Sequence, residues 1–137
     1  MVAGDDPTVL VNAAFALGSF GEDINAMIAL VDRALVLNPS YARGWHASGC
    51  LRLWAGQLDL AIEHERTSLR LSPRTRVGWA LNVIGCAHFC SRRFAEALNR
   101  MRLIDPDVMP HYLQALRVPQ HRELLISGLR LAIGETR

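Results

Sequence analysis

Apolar positions along this chain recur every three or four residues, and turn-forming residues interrupt them at regular intervals. Val9, Leu10, Ala13, Ala14 and Leu17 fall at helical spacing. Before them, Asp6 offers an N-capping carboxylate and Pro7 a ring preset for the first helical position. Gly18 to Gly21 predicts a turn, and Glu22-Asp23 opens a second helix. Its apolar face carries Ile24, Met27, Ile28, Val31, Ala34 and Leu35, and Asn38-Pro39 ends it. A second pair follows from Ala42 to Ser72, with Gly56 at its turn and Pro73 as its stop. A third begins after Pro73 with the linker Arg74 to Val77; its second helix, from Phe94, is expected to stop at Ile104-Asp105-Pro106. A short helix from Pro110 to Arg117 and an amphipathic one from Gln120 to Ile133 close the chain. The last sets Leu124, Leu125, Gly128, Leu129 and Ala132 along one stripe. No β-rich alternation is present, so the chain predicts an all-α fold.

The pairs repeat. Trp45 recurs as Trp79 and Pro39 as Pro73, each 34 residues on. Between the prolines stand Trp45, Gly49, Gly56, Ala61 and Pro73, and this order and period resemble the tetratricopeptide helix–turn–helix repeat. Each position has a physical task. Trp45 fills the space between the helices of one unit, Gly49 and Ala61 allow close approach, Gly56 turns the chain and Pro73 stops it. The resemblance implies a right-handed α-solenoid of about three units, near 6–39, 40–73 and 74–105, with closing helices over 106–134. All of residues 1–137 then form one domain, expected to be a fragment of a longer protein. The first unit is weaker, with Phe15 and Met27 where small residues are usual. The third needs a linker two residues longer than the repeat, and Leu81, Ile84, Gly85, Phe94, Ala97 and Leu98 then fall into register. Arg52 and His88 depart from the repeat, standing where Tyr or Leu is usual.

Longer strings carry a closer likeness: Phe20 to Ile24, Ala29 to Leu35, Leu37 to Pro39, Arg43 to Trp45, Leu51 to Gly56, Asp59 to His64 and Ser68 to Pro73. With Arg122 to Leu125 and Gly128 to Arg130, they resemble the C-terminal tetratricopeptide region of bacterial class III adenylate/guanylate cyclases and their winged-helix regulator relatives. That resemblance implies a protein–protein interaction module of a larger signalling protein, without catalytic residues of its own. The alternative is a self-association or spacer domain, a homodimer for instance, that sets the geometry of an attached cyclase or winged-helix domain. The broadly apolar first helix motivates it, and a second subunit is expected to cover Val9 and Val11.

Composition narrows the classes further. The 137 residues are half apolar and carry a net charge of only +2, with no lysine. Such a balance lacks the clustered basic footprint of a nucleic-acid binder. No apolar run reaches 18 residues, the start lacks a basic leader, and three cysteines form no disulfide framework. The expectation is a cytoplasmic chain without membrane insertion, whose partner is a protein or peptide.

In a tetratricopeptide array the first helix of each unit lines a concave groove. The inward positions on this chain place Asn12, Phe20, Arg43, His46, Cys50, Trp54, Trp79, Asn82, Cys86 and Phe89 in that groove. Aromatic surface with a few polar handles suits a bound peptide or helix. A two-handed carboxylate clamp is not expected, because Ala47 and Val83 stand where its Asn and basic residue belong. His46 with Cys50 and Cys86 with Cys90 are i,i+4 pairs on neighbouring helices, a legitimate zinc set by residue type. Helix axes about 8–10 Å apart hold those four side chains too far apart, so no metal is expected and the thiols read as free and half exposed. No phosphate loop, nucleophile elbow or H-E-x-x-H occurs, so no cofactor or catalytic set is expected either.

Overall fold

The computed structural model describes residues 5–19, 23–74, 77–93, 96–97, 118–121, 123–124 and 127. Phe20, Phe94, the Ile104–Pro106 stop and most of the closing helices lie outside them. Among the described residues there is no strand, and the long elements are five α-helices. They are α1 (Pro7–Ser19), α2 (Ile24–Leu37), α3 (Ala42–Trp54), α4 (Leu58–Leu71) and α5 (Val77–Cys90). None is long and apolar enough to cross a membrane.

Local chemistry sets the ends. The Asp6 carboxylate accepts the Thr8 N–H at 2.7 Å, and Asp23 accepts that of Asn25 at 3.0 Å. At the far end of α2 the Asn38 N–H reaches Ala34 O before Pro39 forbids another turn. Gly56 ends α3 with φ +79°, a left-handed conformation that favours glycine. Its own N–H bonds Leu53 O, and that of Gln57 bonds Arg52 O.

The turn after α5 repeats this pattern. Arg92 N–H bonds Phe89 O, Arg93 N–H bonds His88 O, and Arg92 holds φ 59°. Gly56 therefore corresponds to Arg92, which is 36 residues on rather than 34. This offset is the two-residue longer linker read from the sequence, which already set Leu81 in register. Trp79 matches Arg43, and the counterpart of Trp45 is Leu81. The two extra linker residues turn the start of α5 by about 200° at 3.6 residues per turn. Accordingly, Trp45 is half-buried with its Nε1–H on Pro39 O at 2.8 Å, whereas Trp79 is 48% exposed.

Each helix packs on its neighbours in sequence, and α3 additionally touches both α1 and α5. That central position explains why α3 is buried on several sides, through Gly44, Ala47, Ser48, Gly49, Cys50, Leu51 and Leu53. Two cores meet across it. Leu10, Val11, Ala14, Met27, Val31, Ala34 and Leu35 pack with Ala47 and Leu51. Cys50 and Leu53 pack with Ala61, Ile62, Val83, Ile84, Cys86 and Ala87. Val11 is thus buried within the chain itself, and only Val9 of the expected pair stays open, at 48%. At the other end, Val118 and His121 lie over the Gly56 turn, where a Cβ would stand 2.8 Å from Val118 Cγ2.

Candidate functional site

The surface shared by α1, α3 and the start of α5 holds the expected polar handles. Arg43 Nη2 donates to Asn12 Oδ1 at 2.8 Å, and both residues are exposed. Beside Arg43 opens a pocket of about 310 Å³, lined by Tyr41, Arg43, His46, Ser68, Ser72 and Ala80. The Ser68 hydroxyl is spent on Ala42 O, tying α4 to α3, and Arg43, His46 and Tyr41 supply the pocket's ionisable side chains.

The other groove positions divide. Trp79 keeps about half its surface. Trp54 is half-buried, edge-on to Phe15 with ring centres 6.1 Å apart, and Phe89 packs against the second core. Cys50, Asn82 and Cys86 are buried, so they form interior rather than groove lining. All three cysteines are buried thiols, not half exposed. Burial pushes the Cys86 thiol up to about 12, with the neighbouring Cys90 adding to it, and Cys90 itself to about 11. The Cys86 S–H donates to Asn82 Oδ1 at 3.3 Å.

The set of His46, Cys50, Cys86 and Cys90 does not come together. A different partner completes the first pair. Glu65, fully buried on α4, faces His46 with Nδ1 at 2.9 Å from Oε1 and 3.0 Å from Oε2. Imidazole and carboxyl are hydrogen-bonded there. The other ring nitrogen, Nε2, lies 3.7 Å from Cys50 Sγ, and that sulfur lies 4.0 Å from Glu65 Oε1. Burial raises the Glu65 pKa, and its bond to His46 offsets part of the rise. Gly49 makes the space, since a Cβ there would stand 2.6 Å from Glu65 Oε1.

A second polar cluster lies toward α2. Arg52 Nη2 donates to both oxygens of Asp32 at 3.1 Å, and His64 Nδ1 pairs with Ser48 Oγ at 2.9 Å. The His64 ring also stands edge-on to Trp45, centres 4.9 Å apart. Of these groups the sequence singled out only Arg52, though a further signal existed. The repeat pattern places Leu, Tyr and Phe where this chain has Ser48, Arg52 and Glu65. Three apolar positions of one unit have become polar together, and each has found a polar partner.

His64 gives a pH prediction. Burial, then the Arg52 charge, lowers its pKa from the ordinary 6.5, against smaller raising effects of Glu63 and Asp32. The folded chain therefore holds fewer protons than the unfolded one between the lowered value and 6.5. Stability falls as pH drops through that window. Glu65 has the opposite sign: its raised folded pKa lowers stability as pH rises above the ordinary carboxyl value. Thermal unfolding followed across this range should show the acid-side loss flattened in His64→Gln, which retains a partner for Ser48. An unaltered slope would place the acid sensitivity elsewhere.

No family model matches the chain, and no curated protein matches it.

Proposed function

We propose that the chain is a right-handed α-solenoid of about three tetratricopeptide units, closed by C-terminal helices, and that it serves as a protein–protein interaction module of a larger signalling protein in the cytoplasm. One observation carries this reading: α3, the first helix of its unit, touches its counterparts α1 and α5, and Arg43 bonds Asn12 across the first of these contacts. First helices side by side create one continuous face, which is how such arrays present a peptide groove. Arg43 and His46 line the pocket at the α3–α5 end, and the half-exposed Trp79 precedes Ala80 of its wall in the chain. An extended or helical peptide that places an apolar side chain on Trp79 and an acceptor on Arg43 fits that chemistry.

The test is a displayed library of random peptides selected on the intact chain, with affinities of the winners measured by fluorescence anisotropy. Arg43→Ala and Trp79→Ala should each weaken binding by ~1–3 kcal/mol without loss of helicity. Equal binding by the double variant would remove the groove from the proposal. A second reading, self-association that sets the geometry of an attached cyclase or winged-helix domain, is favoured by Val36 at 81% and Leu37 at 46% exposure on α2. Molar mass in solution separates the two, since a monomer at high concentration speaks against self-association.

A further inference from the structure

The geometry points to a divalent metal site of the zinc class formed by His46, Cys50 and Glu65. One imidazole nitrogen, the thiol sulfur and one carboxyl oxygen lie within 4.8 Å of one another. With metal–sulfur bonds of about 2.3 Å and metal–nitrogen or –oxygen bonds of about 2.0–2.2 Å, tetrahedral ligand atoms stand roughly 3.3–3.6 Å apart. The sulfur lies 3.7 Å from His46 Nε2 and 4.0 Å from Glu65 Oε1, while Nδ1 faces the carboxyl. Closing round one ion therefore requires the ring to turn and the 4.8 Å spread to shrink by about 1 Å. The ligand types agree as well. One nitrogen, one sulfur and one oxygen suit zinc or cobalt, whereas magnesium and calcium prefer oxygen alone.

Charge gives a second, independent reason. Glu65 is a fully buried carboxyl whose close polar partner is a half-buried imidazole, and burial already disfavours its charged form. A divalent ion with one thiolate and one carboxylate is net neutral, which suits a buried setting. Binding would release the Cys50 thiol proton, together with any proton that the His46–Glu65 pair holds beyond the one a neutral ligating imidazole keeps on its other nitrogen. The site also has an entrance, because His46 forms part of the pocket wall. Three protein ligands leave a fourth position for water from that pocket, an arrangement of open rather than closed zinc sites.

The experiment is a cobalt titration of the intact chain after chelation, read in the near ultraviolet and visible. The expected result is a thiolate-to-cobalt charge-transfer band with intense ligand-field bands, saturating at one ion per chain and displaced by zinc. Cys50→Ser should abolish the charge-transfer band. Glu65→Gln should weaken affinity by more than the roughly 10–100-fold that loss of an outer hydrogen bond costs. His46→Asn provides the same test should Glu65→Gln fail to fold, with circular dichroism as the check. Cys86→Ser and Cys90→Ser lie outside the set and should leave the band unchanged. Absence of a saturable band, its persistence in Cys50→Ser, or its loss in Cys86→Ser would overturn the assignment.

Discussion

Gly49→Leu is expected to lower the unfolding free energy by about 3 kcal/mol, the upper end of the usual range for an overpacked core. Even the single carbon of Gly49→Ala would stand 2.6, 2.8 and 2.9 Å from Oε1, Cγ and Cδ of Glu65. A flexible side chain at the surface would swing away. Glu65 is fully buried and its carboxyl is tied to His46, so the strain has no easy outlet. In a helix free of such contacts the same Gly→Ala change would stabilise by about 1 kcal/mol, so the sign alone is informative. Denaturant unfolding of Gly49→Ala with and without Glu65→Ala decides the cause. If the carboxyl demands the glycine, Gly49→Ala turns neutral or stabilising once Glu65 is truncated. A penalty that survives would show instead that the helix backbones themselves require it.

The helices were legible because their signals are local. Asp6, Asp23, Pro39, Gly56 and Pro73 each act within a few residues of the end they define, so the bounds of α1 to α4 follow from the chain. Register was less legible. The sequence offered Trp45 and Trp79 as equivalents, yet two linker residues change which side of α5 faces inward. The register of Leu81, Ile84 and Gly85 implied that shift, and the matching bonds at Gly56 and Arg92 show it. The candidate site divides in the same way. His46 and Cys50 share a helical face at i,i+4 and were visible as a pair. Glu65 comes from another helix, and its place beside them depends on how α4 is rotated against α3. Arg43 and Asn12 were each expected in the groove, but their bond spans 31 residues and two units. The buried positions of Cys50, Asn82 and Cys86 follow from the closeness of α3 and α5, a distance that no single helix encodes.

Leu51→Ala and Leu53→Ala should be the two costliest truncations in α3, each about 2–5 kcal/mol. Both side chains are fully buried, and they stand two residues apart on opposite sides of the central helix. Leu51 belongs to the core shared with α1 and α2, and Leu53 to the core shared with α4 and α5. If the helices form the proposed array held by neighbour contacts, damage should spread unevenly, because each interface contributes its own stability. Amide hydrogen exchange in the native state can read this difference. Leu51→Ala should speed exchange most in Pro7–Ser19 and Ile24–Leu37, and Leu53→Ala most in Leu58–Leu71 and Val77–Cys90. A uniform loss of protection in both variants would mean that the chain opens as one cooperative unit. The two cores would then act as a single core interrupted by α3, and the neighbour-by-neighbour account of the array would have to be given up.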